Sequence, residues 1–595
     1  MCGIAGLFIP GGVADAASLS VPVARIAAAL AHRGPDGAGA WTDGRHCALG
    51  HRRLAVIDLS PAAAQPMTDE SGRYHLTYNG ELYNFRELRR ALEARGRRFR
   101  TASDSEVVIA AYAEYGEEAF KRFDGMYALA IYDVRERRLL LARDPAGEKP
   151  LYYAARPDGL LFSSELRPLA AEPGVARGLS AYGVYSYLAL RYVPAPETIL
   201  EGVRALEPGT LLTVGSDGAI RTRAFFAFDR AVDPLPQDAA AAAERLEDAL
   251  AGSIERRLIS DVPLGAYLSS GVDSSLVCAI AAKKLGRELQ TYCAGFAGGS
   301  EDETAGAARI AQALELPHQA YRLSAGDIVS TIPGFGRLLD EPNGDRSCVP
   351  VYLLSREMRR GVTVALSGDG GDELFCGYRR YEAFAAPVAP ADYVLRYLSE
   401  RLRIFDFDLL GGLFPGEAAR WRAGFLALYA PAAMRASWSD AQRLSVVDFH
   451  TYLPGAVLAK VDRMSMRHAL EVRSPFLAPD VIALAAGLPT NLCSDPRPVK
   501  PLLRAALSRY LPADLMPKVK TGFGMPPAFM QAHRETFTGA FRAAVETLAG
   551  ESFFAARPGV LPALAEAAPG NVNSLWSLTV LGQWVGSLTS SPAPG

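Results

Sequence analysis

Short apolar runs separated by Gly, Asp and Pro fill the first 228 residues: Cys47 to Leu49, Tyr74 to Tyr78, Met126 to Tyr132 and Leu139 to Ala142. Runs of this length between turn-forming residues predict β-strands. Two stretches have helical spacing instead, Val23 to Ala31 and Phe85 to Arg95, so residues 2–228 are expected to form an α+β domain with antiparallel strands. Residues 229–240 place prolines ahead of an alanine run and read as a linker, because proline stops a strand and alanine favours the helix that follows. From 241 to 590 the pattern changes. Val262 to Leu268 predicts a strand leading through small residues into a helix to about Lys284, followed by a strand over Leu289 to Phe296, a helix over Thr304 to Leu314 and a strand over Val362 to Leu366. That alternation is the signature of an open parallel sheet. Beyond Tyr381 the chain reads as mainly helical, with a Pro/Ala/Ser tail at 591–594 expected to fray.

Length and composition narrow the classes. A chain of 595 residues exceeds one hydrophobic core, and 49% apolar residues with nearly balanced charge describe an ordinary globular protein. With 63 Lys+Arg against 65 Asp+Glu there is no basic excess for nucleic acid, and no uncharged apolar stretch is long enough to cross a membrane. Seven cysteines (2, 47, 278, 293, 348, 376, 493) lack CxxC spacing, so neither a disulfide framework nor a zinc site is expected. A reducing, cytoplasmic location fits, and no signal peptide is recognisable.

Candidate chemistry begins at Cys2. Removal of Met1 would leave its thiol beside a free α-amine, whose ordinary pKa of ~8 suits it to carry the thiol proton. Polar clusters follow at strand ends: His32-Arg33-Gly34-Pro35-Asp36, His51-Arg52-Arg53-Leu54, Tyr78-Asn79-Gly80-Glu81 and Ser103-Asp104-Ser105-Glu106. Each has a plainer explanation, since Asn79-Gly80 is a favoured turn dipeptide and Asp104 can cap a helix starting at Glu106. Together with Cys2, and with Arg143-Asp144-Pro145 through Tyr152, they resemble the glutaminase domain of class II glutamine amidotransferases, an Ntn-hydrolase α+β sandwich. The resemblance implies that Cys2 attacks the glutamine side-chain amide, with Asn79 and Gly80 as oxyanion donors. It also implies that Arg53 holds the α-carboxylate and Asp104 the α-ammonium, with Glu81 nearby. Arg52 is left without a role.

In the second half, Leu268-Ser269-Ser270-Gly271-Val272-Asp273-Ser274 forms a small-residue loop between a strand and a helix start, where backbone amides and the helix N-terminus favour an anion. Helix-capping serines alone would give the same pattern; Asp273 adds a carboxylate suited to Mg²⁺. The loop lacks Gly-Lys-Ser/Thr and resembles the PP-loop of ATP pyrophosphatases, with Ser270 in place of the first glycine. A second loop, Ser367-Gly368-Asp369-Gly370-Gly371-Asp372-Glu373, crowds carboxylates that call for a cation. Lys460 to Arg463, Glu471 to Leu477 and Lys518 to Gly524 extend the similarity to the glutamine-hydrolysing asparagine synthetase family.

That resemblance implies an α/β multidomain protein: the Ntn sandwich, then a parallel-sheet α/β PP-loop synthetase domain with added helices. It implies ATP contacts at Leu268, Ser269, Ser270, Gly271, Asp273, Ser274, Ala294, Ser367 and Gly368, Mg²⁺ ligands Asp273 and Asp372, and catalytic roles for Asp369 and Lys500. The reaction implied is ATP-dependent amidation of a carboxylate through an acyl-adenylate, with ammonia carried from glutamine by an internal passage. Aspartate is the expected acceptor and a homodimer is compatible with the family. Arg346 lies where Asp340-Glu341-Pro342-Asn343-Gly344-Asp345 departs from the family pattern; it is a candidate for acceptor carboxylate or pyrophosphate, or marks a paralogue acting on another acid. A non-catalytic binding protein on the same fold is the alternative from a different class.

Overall fold

The computed structural model describes residues 1–595 apart from 229–235, 237, 297–302, 382–389, 403, 427–437, 494–498, 518–523 and 590–595. Most of the expected linker, most of the Lys518 to Gly524 block and the tail at 591–594 lie outside the described residues.

Two six-stranded antiparallel sheets build the N-terminal unit. The strands are β1 Gly3–Phe8, β2 Gly37–Thr42, β3 Cys47–Arg53, β4 Met67–Thr68, β5 Tyr74–Leu82, β6 Gly125–Asp133, β7 Arg138–Arg143, β8 Tyr152–Arg156, β9 Gly159–Ser163, β10 Arg204–Ala205, β11 Thr210–Val214 and β12 Ile220–Ala224. One sheet runs β10-β8-β9-β1-β3-β2 and the other β12-β11-β7-β6-β5-β4. Along β1 the side chains alternate. Ile4 and Phe8 join Leu49, Ala130 and Leu141 between the sheets, whereas Ala5 and Leu7 face Leu19, Val23 and Ile26 of the helix Ala17–Ala29. Each such apolar side chain contributes about 1.5–3 kcal/mol when fully buried, enough to fix β1 in the middle of its sheet. The helix Asp104–Tyr115 covers the outer face of the other sheet, completing a four-layer sandwich.

Several boundaries differ from the periodicity. The first helix begins at Ala17 instead of Val23 and carries Pro22 inside it. Proline removes one helical hydrogen bond, and the buried face of Leu19, Val23 and Ile26 outweighs that loss. Asn79-Gly80 makes no turn: both lie inside β5, with Gly80 opposite Tyr127. A Cβ at Gly80 would stand 2.3 Å from the Met126 carbonyl oxygen, so close strand approach, not a turn, requires glycine there. Asp104 does not cap a helix at Glu106; Ser103 is the cap, its hydroxyl accepting from the Ser105 N–H at 3.2 Å, which leaves the Asp104 carboxylate free for other partners.

The C-terminal unit is built on five parallel strands in the order β15-β14-β13-β16-β17, namely β13 Leu264–Tyr267, β14 Gln290–Phe296, β15 His318–Leu323, β16 Val364–Leu366 and β17 Glu471–Arg473. β17 interrupts the helical region expected beyond Tyr381, and at three residues it is too short to leave a periodic trace. Cys376 and Cys493, 117 residues apart, form a disulfide with a Cα–Cα distance of 5.6 Å. This corrects the expectation of no disulfide, because sequence spacing carries no information on a pair brought together only by folding. No helix among the described residues is long and apolar enough to cross a membrane.

Buried charges join the two units. Arg33 places Nη2 2.9 Å from Asp462 Oδ2, Arg473 reaches Glu81 at 3.4 Å, and Arg257 reaches Asp124 at 3.2 Å. Backbone N–H groups of Leu166 and Arg167 donate to Asp340 at 2.7 and 2.9 Å. An apolar seam of Leu54, Val56, Tyr83 and Met126 against Val364, Met466 and Ala469 lies beside them.

One buried ring ties β3 to β5. His51 Nε2–H donates to the Tyr78 carbonyl at 3.2 Å, and burial pushes the imidazole pKa down from 6.5 to about 3. The folded protein keeps the ring neutral while the unfolded chain protonates it below 6.5, so its stabilising contribution is complete above pH 6.5 and is lost as the pH falls toward 3. The loss amounts to about 1.4 kcal/mol per pH unit. Denaturant unfolding of His51→Gln between pH 6.5 and 4 should therefore show a shallower acid dependence than that of the parent.

Candidate active site

Cys2 sits immediately before β1, buried at 7% exposure, with its Sγ 4.0 Å from the Leu54 carbonyl. Burial pushes the thiol pKa up, while the nearby N-terminal amine, the Leu54 contact and Arg53 pull against it. A neutral thiol that needs a local base is the result. The Cys2 backbone N–H donates to Asn79 Oδ1 at 2.8 Å. This bond fixes the Asn79 amide, because only its oxygen can accept, and turns Nδ2 the other way. That Nδ2 is buried and has no hydrogen-bond partner. A buried, unsatisfied donor costs about 1–3 kcal/mol unless something fills the site, so it is the expected mark of an oxyanion or ligand position.

Gly80 contributes from the open edge of β5. Tyr78 N–H donates to Gln65 Oε1 at 2.7 Å and Leu82 N–H to Asp104 Oδ2 at 2.9 Å, and strand alternation aims the Gly80 N–H along the same edge. Glu81 and Asp104 are both buried. Burial pushes the carboxyl of each up, and for Glu81 the neighbouring Asp104 adds to it while Arg473 opposes. Glu81 and Asp104 thus form a pair of buried carboxylates whose charged forms a cation would favour. Arg53 is held at the end of β3 by the carbonyls of Ser60, at 2.9 Å, and Asp58. These anchors fix the orientation of the planar guanidinium.

The second site is a cavity of about 280 Å³ at the C-terminal ends of β13, β14 and β16. Such crevices are where open parallel sheets bind ligands. Its wall includes Leu268, Ser269, Gly271, Asp273 and Ser274 from the first loop, Ala294 from β14, and Ser367, Gly368, Asp369 and Asp372 from the second. Ser269 Oγ accepts the Gly271 N–H at 3.0 Å and bonds Ser274 Oγ at 2.9 Å, tightening the turn into the helix Val272–Ala279. A Cβ at Gly368 would stand 2.8 Å from Ser274 N, so glycine permits the two loops to touch. Lys500, buried at the head of the helix Pro501–Leu507, bridges Asp273 and Asp372 Oδ1, the latter at 2.6 Å. Burial works against the charged amine, but the two carboxylates outweigh it and raise its pKa. Burial likewise pushes the Asp369 carboxyl up, with Lys460 opposing.

Similarity to known proteins agrees with both sites. Residues 1–226 match the glutamine amidotransferase domain family and residues 245–585 the asparagine synthase family. A Bacillus subtilis (strain 168) protein named asparagine synthetase (glutamine-hydrolyzing) 1 is 31% identical, over 88% of this chain and 87% of its own. A putative asparagine synthetase (glutamine-hydrolyzing) of Mycobacterium bovis (strain ATCC BAA-935 / AF2122/97) is 33% identical, over 88% of each chain. The chain belongs to the glutamine-hydrolysing asparagine synthetase family. That family couples a glutaminase to an ATP-dependent synthetase, and the fold of this member holds the two candidate sites on opposite sides of one interface.

Two residues expected at the synthetase site are not on the cavity wall. Ser270 does not line the cavity and packs toward Gly306. Arg346 does not line it either; its guanidinium donates to Asn573 Oδ1, at 3.2 Å, and to the Met525 carbonyl. The cation in the wall beside Asp369 is instead Lys460, which bonds Ser347 Oγ at 2.9 Å. Lys460, Arg33 and Arg473 received no individual role from the sequence, although the apolar neighbours of Lys460, Val457-Leu458-Ala459 and Val461, were a usable signal.

Removing the Asn79 amide tests the first site. Asn79→Ala is expected to lower glutamate release from glutamine by about 10²–10³-fold, the usual loss for one oxyanion donor. Pyrophosphate release with ammonium chloride should stay near the parental rate, since Asn79 is absent from the cavity wall.

Proposed function

We propose that this family member hydrolyses glutamine at Cys2 and uses the ammonia to convert aspartate to asparagine, with ATP split to AMP and pyrophosphate. Residues 2–228 act as the glutaminase and 241–590 as the synthetase. The observation that carries the reading is the burial of Cys2 beneath the synthetase unit, with Arg33 donating both to the Cys2 carbonyl at 3.0 Å and to Asp462. Ammonia freed there emerges inside the molecule, where it escapes the protonation that would quench it in neutral water.

In this reading the Cys2 thiol gives its proton to its own α-amine and attacks the glutamine amide. Asn79 Nδ2 and the Gly80 N–H take the charge that develops on oxygen. Arg53 binds the α-carboxylate, while Asp104 and Glu81 bind the α-ammonium. At the second site Leu268, Ser269, Gly271, Ser274, Ala294, Ser367 and Gly368 enclose ATP.

Asp273 and Asp372 converge on the single nitrogen of Lys500, which supports a cation position between them. Among the described residues no group of three or more His, Cys, Asp or Glu side chains forms a metal cage. The pair Asp273 and Asp372 suits Mg²⁺, which is held by one or two carboxylates with substrate phosphates completing its shell. Bound there, Mg²⁺ would neutralise phosphate charge. Lys500 would then turn to the developing charge of the activated acid, Asp369 would take a proton from the attacking ammonia, and Lys460 would hold the acceptor carboxylate. Dependence on ATP, which is retained inside cells, supports a cytoplasmic location.

Purified protein with Met1 verified as removed is expected to release glutamate, and Cys2→Ala to lose that activity while keeping ammonia-dependent synthesis. Absence of glutamate release from the processed parent would overturn the glutaminase assignment. Pyrophosphate release screened across small carboxylic acids is expected to be strongest with aspartate; none with aspartate and turnover with another acid would replace the acceptor.

A further inference from the structure

The Met1 α-amine lies 2.6 Å from Glu471 Oε2, and both residues are buried, at 2% and 0% exposure. The Met1 side chain fills the apolar seam between Leu54, Met126, Val364 and Met466. Excision of Met1, which frees the Cys2 amine, empties this space and leaves the Glu471 carboxylate facing it. With Met1 in place, its amine and Arg473 together hold the Glu471 carboxyl at about 2 against burial; after excision Arg473, whose Nε donates to Oε1 at 2.7 Å, remains as its charge partner. Oε2 is thereby left for an N–H donor.

The vacated position has a second property. Nitrogens of successive residues are at most about 3.6 Å apart, from standard bond lengths, so the Met1 nitrogen marks a point within reach of the Cys2 nitrogen. In the proposed hydrolysis the thiol proton passes to the Cys2 α-amine and the sulfur bonds to the side-chain amide carbon. The carbon–nitrogen bond then breaks as that amine returns the proton to the departing nitrogen. Neutral ammonia and a glutamyl thioester result, and the ammonia forms beside the Cys2 amine. The Met1 amine stands in for that ammonia.

We propose that Glu471 is the receiving group for nascent ammonia, accepting a hydrogen bond from it at the position of the Met1 nitrogen and drawing it toward the synthetase site. The proposal rests on the glutaminase reading above. No proton changes hands in this step, because the carboxylate is too weak a base to take one. The route onward is short. Glu471 begins β17, and the carbonyl of Arg473, two residues and roughly 7 Å along the strand, accepts the N–H of Ser367 at 2.9 Å. Ser367 and Asp369 line the synthetase cavity.

The test is a partition ratio. Glutamate and pyrophosphate are measured together for the processed parent, Glu471→Gln and Glu471→Asp with glutamine, ATP, Mg²⁺ and aspartate, or the acid the screen identifies. Turnover with saturating ammonium chloride gauges an intact synthetase. The parent is expected to form the two products in near-equal amounts, Glu471→Gln to waste ammonia and raise glutamate per pyrophosphate about tenfold, the worth of one hydrogen bond to a charged group, and Glu471→Asp to fall between. A purely structural role would lower both products without changing their ratio. An unchanged ratio in both variants overturns the proposal, and if Glu471→Gln fails to fold the ratio of Glu471→Asp decides. A parent that releases no glutamate removes the glutaminase reading and this inference together, whereas a parent that releases both products with unaltered variant ratios removes only the latter.

Discussion

Arg33 is the contact on which the two halves depend. Its guanidinium is wholly buried, with Nε on the Cys2 carbonyl at 3.0 Å, Nη1 on Glu165 at 3.3 Å and Nη2 on Asp462 at 2.9 Å. A charge buried that deeply is tolerable only while every partner is in place, and breaking such a pair commonly costs about 3–5 kcal/mol. The same side chain thus fixes the backbone of Cys2 and the seating of the synthetase unit. Position of the thiol and position of the second domain are one problem, solved by one cation.

The second site reflects a related constraint. Asp273 and Asp372 come from loops about a hundred residues apart, and without a cation they would repel in a poorly solvated cleft. Lys500 resolves the repulsion and is itself kept charged by it. This holds the two loops together, with Gly368 allowing their close contact. Both sites therefore use unfavourable burial of charge to hold geometry.

Between the sites, β17 connects what the sequence separates. Its three residues put Glu471 against the N-terminus, Arg473 against Glu81, and the Arg473 carbonyl against the acidic loop. Arg473 Nη1 is further tied to the carbonyls of Arg257 and Ile259, both at 2.7 Å, so the strand has little freedom to shift alone. Glu81 and Ser367 are thereby linked through Arg473.

The sequence by itself determined the fold class and the family. Short apolar runs between turn residues marked the antiparallel half, strand–helix alternation marked the parallel half, and Cys2, Asn79, Asp273 and Asp372 stood in short blocks that carry the family resemblance, because such blocks are set by neighbours in the chain. Tertiary structure alone decided the rest. It put Ser270 and Arg346 away from the cavity and Lys460 on its wall, took Asn79-Gly80 from a turn into a strand, and joined Cys376 to Cys493. It also brought Arg33 to Asp462 and Glu471 to the N-terminus, partners more than 400 residues apart. The physical reason is that a buried charge is paired by whatever packing brings within reach, and no periodicity in a chain records which distant residue that will be.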